Sequence, residues 1–554
     1  MQIKYQTVIT DDDLLSEARI INLFIKLRGI KKPQEFLQPT HPRQISLDDF
    51  GFKKELNITL KLLEQIKKNH QMIIVYTDYD ADGITGGAIV WETLYLLGFN
   101  TLPYVPHRQK EGYGFCKKTI DYLKQTYNPA LIISVDHGIS AWEKIDYAQK
   151  LGIKIIVTDH HLKPEKIPQA QAIFHLPILS GAGIAYFFAK AIFDYFQSNH
   201  PQLKTYFDYD YLSLATIGII ADLVPLIGPA RSIVKYGLES FGQIKHLGIK
   251  KILEEAKINN KQITPYEIGF IIAPRLNALG RLEHALDALR LICTKDEQKA
   301  RTLAKKVSGK NQERQQLVEE CLKEAEQEIN NHLVNNQPPK IIILKSNQWH
   351  EGIIGLIAAK VAEKYYRPTI IITKSDGIYK GSARSISGFH ITNFLLKLKQ
   401  YLIDVGGHQQ AAGFSIDKHQ VANLIKHAQQ DANHLLQEQD LIKTIRADVK
   451  INFPQVSLRL AQALAQLKPF GIGNPEPTFY SEGKLIDAKI FGKKNEHLKI
   501  FVQQENTTVE MLFFYQADIF SRLAKNSLIQ AVYKIGVSQW QGREKVTLLL
   551  NHLS

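Results

Sequence analysis

The sequence predicts an α/β protein: a parallel-sheet domain, a long connecting helix, a second and smaller α/β domain, and a C-terminal β-barrel. Three observations carry this expectation. Short apolar runs alternate with helix-like segments from about residue 58. A charged, helix-prone stretch free of proline covers residues 294–332. Short β-like runs with close connections fill the C-terminal part.

In the first domain the pattern predicts helices at Leu60–Lys68, Ala88–Leu97, Lys117–Tyr127 and Trp142–Lys150, and strands at Met72–Tyr76, Thr101–Val105, Leu131–Val135 and Lys154–Val157. The spacing is that of βαβ units of about 30 residues. Continuous apolar strands separated by helices indicate a parallel sheet covered on both faces. Before it, one helix (Asp12–Leu27) and a proline-containing stretch read as an arm, residues 1–45, laid on the following domain. The first domain is expected at 46–293 and the connecting helix at 294–335, spanning about 55 Å and interrupted near Ser308–Gly309. The second domain is expected at 336–437. Residues 438–554 hold runs at Leu485–Phe491, Leu498–Val502, Val509–Phe514, Ile529–Val537 and Lys545–Leu550, which fit a five-stranded OB-type barrel.

A chain of 554 residues is too long for one core. No apolar run is long enough to suggest a membrane span, and there is no N-terminal signal pattern. Three separated cysteines make a disulfide framework or a zinc–thiolate site a poor reading, and a reducing cytoplasm fits. The formal net charge of +14 argues for a polyanionic partner.

In such sheets ligands bind outside the carboxyl ends of the strands. Asp78, Asp80 and Asp82 follow the first strand, His107 and Arg108 the second, Asp136 and His137 the third, and Asp159, His160 and His161 the fourth. Alternate aspartates in extended chain project to one side, where they repel one another unless a cation sits among them. Oxygen-rich clusters suit Mg²⁺ or Mn²⁺. An EF-hand loop starting at Asp78 would need glutamate at its twelfth position, which is Ile89. Asp222, in an apolar helix-like run, is a further carboxylate needing a partner, whether a cation, a salt bridge or a helix cap.

DYDADG, SVDHG, the DHH triplet and GIIADLVPL resemble, in order, the four motifs of the DHH phosphoesterase family. APRLNALGRLEHA (Ala273–Ala285) and PFGIGNPEP (Pro469–Pro477) are similar to segments of RecJ-type exonucleases in that family. GSARSISGF (Gly381–Phe389) and GGHQQAAGF (Gly406–Phe414) resemble its DHHA1 domain. The resemblance covers roughly residues 45–550. It departs at His137, where many relatives have cysteine.

It implies a metal-dependent exonuclease acting on single-stranded DNA from the 5′ end and releasing mononucleotides, in DNA repair and recombination. A two-ion Mn²⁺ or Mg²⁺ site goes with it. It implies Asp136 as the bridging carboxylate, Asp80 on one ion, Asp82, His160 and Asp222 on the other, and Asp78 as a ligand or an outer carboxylate. Adjacent residues in extended chain point apart, so His160 and His161 are expected to have different roles; His161 is assigned to the substrate phosphate and Asp159 to orienting a histidine. Arg108 grips a phosphate or pairs with Glu111. Arg275, Asn277 and Arg281 offer phosphate contacts or cap a neighbouring helix. Ser382 and Arg384, at alternate strand positions, form a 5′-phosphate pocket with Arg108, and His408 lies in a glycine loop beside a ligand. Lys489, Lys493, Lys494 and Lys499, interleaved with Phe491, Phe501, Phe513 and Phe514, suit single strands unless the phenylalanines are barrel core. The expected protein is a cytoplasmic monomer, with single-strand-binding protein and a helicase as candidate partners and no membrane. Two other readings are a phosphodiesterase for short oligonucleotides or cyclic dinucleotides, and an inactive DNA-binding scaffold. The C-terminal barrel argues against the first and the full complement of acidic and imidazole positions against the second.

Overall fold

The computed structural model describes residues 2–197, 203–258, 263–333, 337–375, 377–540 and 542–554. The chain forms two compact units, one of Lys4–Ser308 with Arg446–Ser554 and one built on Gly309–Ile445.

In the first unit, β1 (Gln2–Val8) precedes a sheet of β2 (Ile73–Thr77), β3 (Thr101–Tyr104), β4 (Leu131–Val135), β5 (Lys154–Asp159) and β6 (Ala172–His175). The order is β3-β2-β4-β5-β6 and all pairs are parallel. β2 and β4 are buried along their whole length. Ile73 and Val75 face the larger core, which contains helices Ala81–Leu96, Gly181–Phe196 and Tyr211–Ala221. Ile74 and Tyr76 face a smaller core under helices Lys117–Tyr127 and Trp142–Lys150. Helices on both faces explain why these strands read as continuous apolar runs. β6 has no such signature, being only four residues with alternate burial.

The second unit contains β7 (Ile342–Ser346), β8 (Thr369–Ser375), β9 (Ile378–Arg384), β10 (Asp404–His408) and β11 (Ala411–Ile416), in the order β10-β11-β9-β8-β7. Only β7 and β8 are parallel. The connecting helix Glu297–Asn331 runs through Ser308–Gly309 without the expected interruption.

β12 (Thr444–Lys450) leads to the barrel strands β13 (Phe479–Phe491), β14 (His497–Gln504), β15 (Thr507–Phe513), β16 (Leu528–Trp540) and β17 (Arg543–Leu553). The order β13-β14-β15-β17-β16 closes on β13, with a parallel β15–β17 pair. That is the five-stranded OB-type closure. β14 alternates strictly, with Leu498, Ile500 and Val502 inward.

The N-terminal arm is divided. β1 pairs with β12, and Ile9 N donates to Lys450 O at 2.9 Å. Helix Glu17–Leu27, capped by Ser16, packs on the barrel through Phe24 against Phe479. Its buried face is apolar, so it follows the larger unpaired apolar surface rather than its neighbour in sequence. Residues around 36–45 lie on the following domain, where Phe36 O, Thr40 O and Pro39 O accept from Arg231, Ser232 and Tyr236 and Ile45 packs on its core.

A buried charged group anchors helix Ala81–Leu96 at its far end. His246 Nε2 lies 2.9 Å from Glu92 Oε2, its Nδ1 faces Asp210 Oδ1 at 3.1 Å, and Lys295 pairs with Glu92. Burial alone would lower the His246 pKa, but Asp210 and Glu92 outweigh it and raise it from 6.5 to about 8. The folded state therefore binds this proton more tightly than the unfolded chain. The stabilisation is complete below pH 6.5 and is lost as pH rises through about 8. Between pH 6 and pH 9, wild-type protein should lose about 2 kcal/mol of unfolding free energy relative to His246→Gln, as a shift of this size implies. Urea unfolding of both proteins across that range measures the difference.

Candidate metal centre

β2 ends at Thr77, and the chain does not stay extended through the three aspartates. Asp80 is instead the N-cap of helix Ala81–Leu96, its side chain accepting from Asp82 N and Gly83 N at 3.0 and 3.1 Å. The alternate-side argument therefore holds only up to the cap. A carboxylate at a helix N-terminus satisfies free amides and suits the helix dipole. Asp82, in the first helical turn, accepts from Gly181 N (2.7 Å) and Ala182 N (2.9 Å), the start of the next helix.

Asp136 follows β4 with φ +68, unusual for a non-glycine residue. Helix Gly181–Phe196 comes so close that a Cβ at Gly181 would lie 2.4 Å from Asp136 Cβ, and helix Tyr211–Ala221 so close that one at Gly218 would lie 2.3 Å from Asp82 Oδ1. Both glycines escaped the sequence reading, because close approach to a carboxylate leaves no periodic signal. Asp222 caps the end of helix Tyr211–Ala221.

The ligand atoms fall into three sets, each within 4.8 Å: Asp78, Asp80 and Asp136; Asp82, His160 and Asp222; and Asp136, His160 and His161. His160 Nε2 lies 3.1 Å from Asp136 Oδ1, 3.5 Å from Asp222 Oδ2 and 4.0 Å from Asp82 Oδ2. Asp78 Oδ1, Asp136 Oδ1 and His160 Nε2 are buried and make no hydrogen bond. Buried polar atoms are seldom left so. Neighbouring ligand atoms around an ion with bonds of about 2.1 Å stand about 3 Å apart, the separation of Asp136 Oδ1 from His160 Nε2. The donor set, carboxylates with one imidazole, fits Mn²⁺ or Mg²⁺.

Burial, with the neighbouring carboxylates, drives Asp78 and Asp136 well above the ordinary carboxyl range. The same causes push Asp82 up to about 6 and Asp222 up to about 8. Burial, with His161 nearby, holds His160 down to about 4, so it is neutral with a free lone pair at neutral pH.

Asp159 is a different kind of carboxylate. Its Oδ1 accepts from His160 N (2.7 Å), His161 N (3.0 Å) and His161 Nδ1 (2.8 Å), and its Oδ2 from Ile139 N (2.8 Å). Burial alone would raise it, but the His161 ring and these amides hold it below its usual range. The two histidine rings do not point apart as extended chain would have them. β5 ends at Asp159, and the rings lie 4.5 Å apart on the same side. His137 faces the smaller core, its Nε2 3.0 Å from Tyr76 O.

Arg108 lies over the Tyr79 ring at 5.2 Å, while Glu111 is taken by Tyr104 Oη, His107 N and Thr119 rather than by Arg108. Burial and Asp78 push the Tyr79 hydroxyl up to about 12, against the opposing charges of Arg108 and Arg281. Asn277 Oδ1 accepts from Ala81 N at 2.7 Å and so holds that loop. Arg275 turns to Ile271 O and Ser308 Oγ, within its own helical packing. Two residues absent from the expected set also reach the site. Tyr113 Oη donates to Asp136 O (3.1 Å) and lies 3.1 Å from His161 Nδ1, and His175 Nε2 lies 2.7 Å from His161 O.

In the second unit, Arg384 Nη1 donates to Ser382 Oγ (3.3 Å) and Ala383 O (2.9 Å) and, among the described residues, meets no carboxylate. A Cβ at Gly355, in the first turn of helix Ile354–Tyr365, would lie 3.1 Å from Ser382 Oγ and 3.2 Å from Arg384 Nη2. His408 is exposed on the same sheet face as Arg384, the two flanking Ala411 in register. On the barrel, Phe513 is core, while Lys489 lies over Phe501 and Lys499 over Phe491 on the outer face.

In metal-free protein the raised Asp222 pKa means a proton held more tightly in the folded than in the unfolded state. The folded state thus loses stability as pH rises from about 4 towards 8. Asp222→Asn should be more stable than wild type at pH 8 in chelator, with the gap closing towards pH 4. Thermal melts at several pH values test this.

Residues 72–219 match the DHH family N-terminal domain, 339–434 the DHHA1 domain and 447–552 the RecJ OB domain. The single-stranded-DNA-specific exonuclease RecJ of Bacillus subtilis (strain 168) is 31% identical over 543 residues, covering 96% of this chain and 67% of that protein. The RecJ of Haemophilus influenzae is 31% identical over 532 residues, covering 91% and 90%. The crystal structure of RecJ from Thermus thermophilus in complex with Mn²⁺ matches with a TM-score of 0.83 at 25% identity, covering 100% of this chain and 79% of that one. Its complex with Mg²⁺ gives 0.75 at 25% identity, covering 100% and 78%. With that likeness over nearly its whole length, the chain belongs to the RecJ family of single-stranded-DNA-specific exonucleases.

Proposed function

We propose that this protein is a metal-dependent exonuclease that degrades single-stranded DNA in the 5′→3′ direction to 5′-mononucleotides, in DNA repair and recombination. One observation carries the reading. Two ligand sets meet at Asp136 on the carboxyl edge of a parallel sheet, where buried Asp136 Oδ1 and His160 Nε2 face each other and, among the described residues, make no hydrogen bond.

Bound Mn²⁺ or Mg²⁺ supplies an activated water and neutralises the phosphate oxygens. Asp136 would serve one position with Asp78 and Asp80, and would reach the other through the neighbouring group of Asp82, His160 and Asp222, which shares His160 with it. Asp159 fixes His161 with Nδ1 protonated. Burial opposes a charge on that ring, but Asp159 outweighs it and raises the pKa, so His161 can present positive charge to the scissile phosphate. Hydrolysis breaks the bond from phosphorus to the 3′ oxygen of the terminal nucleotide, which leaves with its own 5′ phosphate.

In the second unit that terminal phosphate is assigned to Ser382, Arg384 and His408, while Arg108 is assigned to a phosphate contact within the first unit. A guanidinium without a carboxylate partner, facing the first turn of a helix, is suited to an anion. The strand beyond would run over the outer face of the barrel, where lysines sit on phenylalanine rings. The reading takes the enzyme to act as a cytoplasmic monomer on strands exposed by a helicase and covered by single-strand-binding protein.

Incubation with 5′-labelled single-stranded and duplex DNA, with Mn²⁺, Mg²⁺ or chelator, tests the whole. Labelled mononucleotide should appear first, from single strands only and only with metal. Release from the 3′ end, or equal rates on duplex, would contradict it. Asp136→Ala should abolish hydrolysis while strand binding persists. Arg384→Ala should cut the preference for a 5′-phosphorylated end about tenfold or more, since a charged hydrogen bond contributes about 1.5–3 kcal/mol.

A further inference from the structure

Asp222 is held differently from the other acidic residues of the rim. Asp78, Asp136 and Asp159 stand at the ends of sheet strands, and Asp82 lies in a helix packed on the sheet. Asp222 ends a helix, and the chain leaves through Leu223 at φ +59, strained backbone for a bulky residue. What fixes the next residues comes from a segment more than two hundred positions away. Leu226 N donates to Ile472 O at 2.7 Å. Gly471 sits so close that a Cβ there would lie 2.7 Å from Leu226 Cδ1, and one at Gly473 would lie 3.0 Å from Pro225 Cβ.

The loop that makes these contacts, PFGIGNPEP, is itself tied down. Asn474, fully buried, donates to Leu467 O (2.8 Å) and Pro469 O (2.9 Å). Arg231, also fully buried, donates to Leu467 O (3.1 Å), Lys468 O (2.8 Å), Pro469 O (3.1 Å) and Phe36 O (2.6 Å), and lies 3.7 Å over the Phe36 ring. A buried guanidinium with no counter-ion is costly. Among the described residues, four backbone carbonyls and the Phe36 ring compensate it, and all of them belong to the loop's root or the N-terminal arm. Arg231 lies on the helix that follows the Asp222 turn, Gly228–Ser240. The turn is thus gripped from both sides by the barrel segment.

We infer that the loop Pro469–Pro477 is a positioning element of the metal centre. Through Leu226 it sets where the Asp222 carboxylate stands, and Arg231 and Asn474 keep the loop in the shape that does so. The barrel segment therefore contributes to the rim as well as to the outer face assigned to the strand. The inference rests on the metal reading above.

The test measures Mn²⁺ binding directly, by the electron paramagnetic resonance signal of free ion, with no substrate present. Gly471→Val should weaken binding about tenfold, in the range found when groups behind a ligand are altered. Adding Leu226→Ala, which makes room for the new side chain, should recover much of the loss. In an Asp222→Asn background, Gly471→Val should have little further effect, since the group it displaces is gone. Arg231→Lys, which cannot reach four carbonyls, should behave as Gly471→Val does, and circular dichroism would establish that each variant is folded. Unchanged Mn²⁺ binding in folded Gly471→Val and Arg231→Lys would overturn the inference. So would a Gly471→Val loss that adds in full to that of Asp222→Asn. Absence of Mn²⁺ binding in the wild type would overturn the metal reading and this inference with it.

Discussion

Carboxylates crowded at a low-dielectric rim repel one another, and this repulsion is the constraint around which the first unit is arranged. Asp78, Asp82 and Asp136 are almost wholly buried and lie with Asp80 and Asp222 around two imidazoles. Without added positive charge the group resists ionisation: burial first, and the neighbouring carboxylates second, push Asp82 and Asp222 above ordinary aspartates. The fold tolerates this because each carboxylate is held by backbone it cannot leave: strand ends, a helix cap, or the amides of another helix.

Hydrogen bonding separates two classes within the cluster. Asp159 is fully satisfied by three amides and a ring nitrogen, and it titrates low. Asp136 Oδ1 and His160 Nε2, 3.1 Å apart, make no hydrogen bond among the described residues. The first pattern is that of a group that orients others, the second that of groups kept for a cation. The helix Ala81–Leu96 links the site to the core. Its first turn carries Asp82 under an Asp80 cap, and its last turns carry Glu92 in the buried group with His246, Asp210 and Lys295. Charge thus pins the helix at both ends, and the apolar packing between them needs only to fill space.

The expectations that failed have two causes, the ends of elements and pairing with distant parts of the chain. The alternate-side rule for Asp78, Asp80 and Asp82 assumed that the strand continued, but a helix cap replaced it. The opposed histidines assumed extended chain beyond Asp159. The arm was placed on its neighbour in sequence, whereas β1 and its helix join the barrel at the other end of the chain. Local rules describe residues up to the end of an element, and the aspartates and histidines lie just past such ends.

Sequence alone determined the α/β alternation, the closed five-stranded barrel and the acidic and imidazole positions at the sheet edge. Those follow from periodicity and from the rule that loops after parallel strands share one side, both properties of backbone geometry. Tertiary structure decided which of these side chains meet, which are satisfied by protein and which are left for an ion. It also decided that glycines at 181 and 218 make room for the carboxylates and that a loop near residue 471 buttresses Asp222. Such contacts join positions far apart in the chain through close packing, and packing leaves no period in a sequence.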